Sequence, residues 1–524
     1  MRTILCFAIS LSLVSSAFAN VGLPRIFGSN MVLQRDAAAP VWGWAEPGEQ
    51  VTVTFAGQTK KASADNSGSW MVKLDAMEAS NDGRDLVVSG KNKLTFKNVL
   101  VGEVWVCSGQ SNMEWTVGGA LQPNVERENA KFPLIRHIKV NKVPSDAPQK
   151  DFGGTPWTVC SPQTVNGYTA VGYFFGRRLH QELEIPVGLI NTSWGGTRIE
   201  PWVPLVGFRK IKDVGFAKQI ISTIERADPS TGPGKQAYKE GIASIRKWLD
   251  ETETRVESGQ YPTTMPAKFP SLGRSHQSPS RLYRGMVHPL VPFGIRGAIW
   301  YQGESNGNEG ITYTQKKQAL VEGWRQVWGQ GDFPFYWVQL ANFTDDRKTP
   351  EGGDGYARVR DAQRKAMAIK NTGMAVIIDI GETRDIHPKN KQDVGSRLAQ
   401  WALARDYGKD VVPCGPLYKS HKVEGNAIRV SFDHVGGGLI VGIKSGLEPV
   451  TDVKDLPLQR FAIAGKDRKW VWAKAKIDGG SVVVSSQEVA NPVAVRYAYS
   501  ANPLGANLYN AEGIPASPFR TDDW

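Results

Sequence analysis

The chain is short of cysteine, histidine and long apolar runs, and each shortage closes off a class of protein. Four cysteines occur in 524 residues, Cys6, Cys107, Cys160 and Cys414. Cys6 sits in the apolar N-terminal run. The other three are too few for a disulfide scaffold and lack the spacing of a zinc site. One bridge among them is allowed, but spacing does not say which. Beyond residue 19 no stretch is long and apolar enough to cross a bilayer, so no membrane insertion is expected. No block of Lys and Arg is interleaved with aromatics, so nucleic acid is not indicated as a partner. The net charge of +12 is compatible with acidic glycans or anionic surfaces, and demands neither. There is no internal repeat and no low-complexity tract.

What is present is globular. The composition is 41% hydrophobic and 22% charged, with length for two to four domains. Met1-Arg2, the apolar run from Ile4 to Val14 and the small-residue site Ala17-Phe18-Ala19 form the pattern of a cleaved secretory signal over 1–19. The expected location is therefore secreted, or periplasmic in a diderm bacterium.

From 20 to 101 short strands alternate with turn residues such as Pro47-Gly48 and Asp65-Asn66-Ser67-Gly68, which predicts a small β-sandwich region. From 102 to 414 strands expected at 102–107, 187–192, 296–302, 334–340 and 374–380 alternate with helices at 173–184, 313–328, 358–370 and 391–407. That alternation predicts an α/β domain with a parallel sheet. At about 208–283 it is interrupted by two polar helical runs and a Pro/Ser-rich loop. This is a helical insertion, forming either one wall of a cleft or a solvated decoration. From 415 to 524 the strand texture returns as a C-terminal β domain.

In a parallel α/β sheet the chemistry gathers beyond the carboxyl ends of the strands, and the polar motifs fall there. After the first strand comes Gly109-Gln110-Ser111-Asn112-Met113. Gly109 permits a sharp turn, which leaves Ser111 either as an exposed nucleophile beside helix N–H groups or as a helix cap. After the second comes Trp194-Gly195-Gly196-Thr197, where backbone N–H groups can approach a ligand or merely make a turn. Tyr301-Gln302-Gly303-Glu304-Ser305-Asn306 follows the third. Gln302 and Asn306 are amide donors suited to a developing negative charge, and Glu304 is an orienting or buried acid. Asp385-Ile386-His387-Pro388 follows the fifth. Of seven histidines, His387 alone has a carboxylate two residues away in a loop after a strand, as a general base requires. His288 is the competing base, ranked lower because it precedes a strand. Trp115, Trp194 and Trp202 lie near these motifs, at positions that suit sugar stacking.

Taken together these four motifs resemble the sialate O-acetylesterase family, within the SGNH hydrolases. The resemblance runs from about 21 to 407. It implies an SGNH-type (flavodoxin-like) three-layer α/β fold, a carbohydrate acetylesterase activity on an acetylated glycan, and no metal or organic cofactor. Carried onto this chain it implies Ser111 as nucleophile, His387 as base and Asp385 as the acid orienting it. The Ser111 and Gly196 N–H groups, the Gln302 amide and Asn306 fall at the oxyanion hole. Many SGNH enzymes place the acid three residues before the histidine. Here that place holds Arg384, so Asp379, Glu382 and Glu304 stand as alternatives to Asp385. The family also includes esterases of acetylated plant hemicelluloses such as xyloglucan or xylan. Readings from other classes are a non-catalytic glycan-binding protein and a lipase or arylesterase. An α/β-hydrolase is disfavoured because the Ser111 motif lacks the second glycine of the nucleophile elbow. Neither the sugar nor the oligomeric state follows from the sequence.

Overall fold

One strand ties two parts of the molecule together. The computed structural model describes residues 20–266 and 269–524, and the expected signal segment lies outside them. Strand β1 runs unbroken from Lys93 to Gly109. Its first half pairs antiparallel with Ser80–Ser89 and parallel with Val32–Gln34. Its second half becomes the centre of a different sheet. Burial follows the change: exposed and half-buried residues predominate up to Asn98, and every residue from Val99 to Gly109 is buried. A strand covered on both faces needs such an uninterrupted buried run. The expected boundary between 101 and 102 therefore falls inside one continuous strand.

Beyond β1 a short helix, α1 (Ser111–Glu114), begins at once. Then come β2 (Ile135–Lys139), helix α2 (Ala170–Leu183) and β3 (Val187–Ser193). After the insertion follow β4 (Gly297–Tyr301), α3 (Ile311–Trp328), β5 (Phe335–Val338), β6 (Thr372–Ala375) and α4 (Lys391–Arg405). The sheet order is β6-β5-β4-β1-β3-β2 with every neighbour parallel. A two-residue strand, Thr158–Val159, pairs antiparallel with the outer side of β2; without these two, the order is the 2-1-3-4-5 of a doubly wound sheet with its switch point beside the first strand. Helices cover both faces. On one, Trp105 meets Phe175 of α2 at 4.9 Å and Tyr336 stacks on Trp401 of α4 at 6.3 Å. On the other, Trp300 and Phe335 meet Trp324 of α3 at 6.2 and 5.8 Å.

Two elements differ from the sequence expectation. β2 has no strand-like signature because its centre is Arg136-His137, yet both residues are buried. Arg136 Nε donates to the Pro133 carbonyl at 2.8 Å, and His137 stacks on Tyr168 at 4.3 Å. β6 stops at Ala375 instead of continuing to 380. It is an edge strand whose only partner among the described residues, β5, ends opposite Ala375 at Val338.

The insertion holds two helices, Gly215–Arg226 and Gly232–Glu257. The second is capped by Thr231, whose hydroxyl accepts the Gly234 N–H at 3.0 Å. After about 415 the chain forms antiparallel sheets around their own hydrophobic cluster, including Ile428, Ile463, Val495 and Phe519. Cys107, Cys160 and Cys414 are free and buried. Among the described residues no helix is long and apolar enough to cross a membrane, and no group of three or more His, Cys, Asp or Glu is placed to hold a metal.

Candidate active site

The turn after β1 is set by steric exclusion. Gly109 has φ +136°, and a Cβ there would lie 2.1 Å from the Tyr301 carbonyl oxygen. That carbonyl, at the end of β4, accepts the Gln110 N–H at 2.9 Å, while the Gly109 carbonyl accepts the Trp194 N–H at 3.0 Å. The ends of β1, β3 and β4 are thereby laced together, and Ser111 is the first residue of α1.

The Ser111 hydroxyl lies 2.8 Å from His387 Nε2, the separation at which a hydroxyl donates to a neutral imidazole. The partners are 276 residues apart in sequence. His387 rides on a loop pinned at several points. Asn342 Oδ1 accepts the Gly381 N–H, Glu382 Oε1 accepts the Lys389 N–H, and Asn390 caps α4. The imidazole stacks on Trp115 at 5.0 Å and 17°. Trp202, by contrast, is fully buried, and its indole N–H donates to the Thr197 hydroxyl.

Of the four candidate carboxylates for the orienting role, Asp385 faces the imidazole. Its Oδ1 accepts the His387 backbone N–H at 2.9 Å and lies 3.5 Å from Nδ1. The latter contact is long for a hydrogen bond. Asp379 is committed to Arg397 through contacts of 2.6 and 2.8 Å. Glu382 accepts the Lys389 N–H, and Glu304 Oε1 accepts the Asn112 amide at 2.6 Å. His288 sits at the amino end of β4 with Nδ1 against the Gln149 carbonyl, while Ser111 is met by His387. Burial, and then the charge of Lys391, lower the His387 pKa below that of an ordinary histidine; Asp385 opposes them. The shift favours the neutral ring.

On the other side of Ser111 lies the glycine turn. Gly195 approaches so closely that a Cβ on it would sit 3.2 Å from the Ser111 Cβ. Its N–H donates to Glu114 Oε2 at 2.8 Å, and Lys142 holds the other oxygen of Glu114 at 2.6 Å. Gly196 follows with φ +73°. Its carbonyl accepts the Gln277 amide at 2.7 Å, and the Arg198 N–H donates to Gln277 Oε1. His276 stacks on Trp194 at 4.7 Å. It is thus the loop of the insertion, not its helices, that touches the site. The Ser111 and Gly196 N–H groups donate to no acceptor among the described residues.

The two side-chain amides are placed differently from the sequence expectation. Gln302 is fully buried; its NH₂ donates to the Thr197 carbonyl at 3.1 Å and to Asn306 Oδ1 at 2.8 Å. Asn306 gives its own two hydrogens to Glu200 and Glu309. A primary amide has two N–H bonds, so neither residue has one left for an oxyanion. They instead brace the β3 and β4 loops against each other. Glu114, Lys142, Gln277, Asn112 and Lys391 also support the site, and none is assigned a role by the sequence motifs. Only Glu114 carries a signal, standing three residues after Ser111 and so in the same helical turn.

This arrangement brings together a hydroxyl, a neutral base and two backbone donors at the ends of β1 and β3 and the loop beyond β6. That is the equipment of acyl transfer. Residues 271–404 match a family model described as a carbohydrate esterase, sialic acid-specific acetylesterase. The human protein named sialate O-acetylesterase is 32% identical over 456 residues, covering 79% of this chain and 77% of that one. The mouse protein of the same name is 29% identical over 570 residues, covering 98% and 97%. The crystal structure of a carbohydrate acetylesterase from Xanthomonas citri superposes with a TM-score of 0.79 at 35% identity, over 96% of this chain and 100% of that one.

Proposed function

The chain belongs to the sialate O-acetylesterase family of carbohydrate esterases, and from that premise we propose that it is an exported serine esterase that removes O-acetyl groups from sugars through an acyl-enzyme on Ser111. The observation that carries the proposal is the 2.8 Å approach of the Ser111 hydroxyl to His387 Nε2 at the strand ends. His387 takes the hydroxyl proton as Ser111 Oγ bonds to the acetyl carbonyl carbon. The carbonyl oxygen becomes an oxyanion held by the Ser111 and Gly196 N–H groups. The C–O bond to the sugar then breaks, and the imidazolium returns its proton to the departing sugar hydroxyl. Water, deprotonated by the same imidazole, attacks the acetyl-serine; acetate leaves and Ser111 recovers its proton. Asp385 orients the ring, while Gln302 and Asn306 hold the loops in place. No step calls on a metal or an organic cofactor. The sheet order and two-sided helix cover support an SGNH-type layering for 102–414, with β regions at 20–101 and 415–524 and the insertion at about 208–283.

Acetate release from acetylated sialosides, xylans and xyloglucans, comparing wild type with Ser111→Ala, tests the reading: release from at least one of these glycans, lost in the variant, is expected, and no release from any of them would refute the carbohydrate esterase proposal.

The acid assignment has its own test. Asp385→Asn is expected to lower kcat/KM by roughly 10²-fold or more with KM little changed. Glu304→Gln, measured alongside, is expected to be milder because Glu304 does not face the ring. The reverse order would transfer the orienting role to Glu304.

A further inference from the structure

Behind Ser111 and His387, on the side away from the glycine turn, lies a buried polar cluster that the mechanism above does not use. Lys391 is the first residue of α4 and is fully buried. Its ammonium donates to Asn112 Oδ1. It also faces two aromatic rings, with the Tyr301 ring centroid at 5.4 Å and that of Trp115 at 5.9 Å. The Asn112 amide donates to Glu304 Oε1 at 2.6 Å and to the Ile386 carbonyl at 3.0 Å. Glu304 Oε2 is buried and has no hydrogen-bond partner among the described residues. One asparagine, adjacent in sequence to the nucleophile, thus gathers an ammonium, a carboxylate and the carbonyl beside the base. Trp115 joins the cluster to the imidazole, stacking on His387 while also facing Lys391.

We propose that Lys391 is a positioning residue for the esterase reaction: through Asn112 it locks the Ser111 and His387 segments together, and its ammonium, facing Trp115, keeps the His387 ring neutral and ready to accept the serine proton. The inference rests on the reading of Ser111 and His387 as nucleophile and base. A bare ammonium this deep is costly unless something uses it or pairs it, and its bonded partner is one neutral amide.

The charged and titratable groups around this pair come from several elements. Asp385 and Glu382 share the loop of His387, Tyr301 and Glu304 lie at and just after the end of β4, and Tyr356 lies on the helix Gly355–Lys365 that follows β5. Glu114, on α1, is already paired with Lys142. Burial lowers the Lys391 pKa to about 7, with the three carboxylates opposing. Burial raises that of Glu304. Below pH 7 Lys391 is charged in the range where His387 titrates, and two cations repel. Burial lowers the His387 pKa and the Lys391 charge lowers it further, with Asp385 opposing, so the acid limb of the activity profile should fall below the ordinary histidine range.

The test is kcat/KM against pH for hydrolysis of 4-nitrophenyl acetate, a substrate that avoids any choice of sugar. Lys391→Gln removes the charge but can still donate to Asn112, and Lys391→Met removes both. Both are expected to move the acid limb upward by on the order of one pH unit, with Lys391→Met also losing kcat. Folded neutral variants, checked by circular dichroism, whose acid limb stays at the wild-type position would overturn the proposal. Should neither variant fold, the wild-type profile carries the test. An acid limb at or above the ordinary histidine value of about 6.5 contradicts the proposal, since the Lys391 charge acts with burial to lower it. Failure of the Ser111 reading is separately visible, because Ser111→Ala would then retain activity.

Discussion

Ser111→Ala is expected to remove at least about 10⁴-fold of the acetylesterase kcat while leaving the fold and melting temperature near wild type. The reason is geometric. The hydroxyl is the one group placed 2.8 Å from His387 Nε2, so without it the imidazole has no nucleophile to activate. Water in its place lacks the covalent route and the alignment. The two N–H donors survive the substitution, so residual turnover above the uncatalysed rate is expected from the oxyanion hole alone. Ser111 is half-buried at the start of a four-residue helix capped by no side chain, so the stability cost is expected to stay small. Acetate release and thermal unfolding, measured on the same preparation, check both halves. A variant with activity within tenfold of wild type would refute the nucleophile.

Gly109→Ala is expected to be severely damaging, destabilising by more than about 4 kcal/mol or preventing folding. Two costs combine. The backbone holds φ +136°, a region that L side chains rarely adopt, and the methyl would press to 2.1 Å from the Tyr301 carbonyl oxygen. That oxygen cannot retreat, because it accepts the Gln110 N–H that fixes the turn. Gly196→Ala makes the contrast. Its φ is +73° but the space around its Cβ position is open, so only the backbone strain of about 1–2 kcal/mol is expected. Chemical denaturation of the two variants reads the difference. A Gly109→Ala protein as stable as Gly196→Ala would show that the turn is not held as described.

Much of the fold is legible in the amino-acid sequence itself. The alternation of apolar runs with helical spacing locates five parallel strands, because strands buried on both faces must be continuously apolar. The same rule conceals β2, whose buried Arg136 and His137 are held by partners that a linear pattern does not show: Arg136 donates to Pro133 and Asn30, and His137 stacks on Tyr168. It also conceals that the β region and the sheet share β1, since a strand passing from one sheet into another carries no break in its pattern. Ser111 and His387 can be read from position, each lying beyond a strand end. The amides of Gln302 and Asn306 can be read by type only. A sequence shows that an amide is present but not where its hydrogens go, and here they go to Thr197, Glu200 and Glu309 and from Gln302 to Asn306. Lys391 has no signal at all, because a lysine at a helix start normally reaches water.

Every step of the proposed mechanism depends on an acyl-enzyme forming at Ser111, and a fluorophosphonate probe followed by peptide mass spectrometry examines that step most directly. Active protein is expected to gain a single phosphonyl adduct, on the peptide carrying Ser111, with loss of acetate release in proportion to labelling and with no labelling of His387→Ala on the same timescale. Fully active protein that takes up no label, or takes it at a different serine, would contradict the acyl-enzyme mechanism.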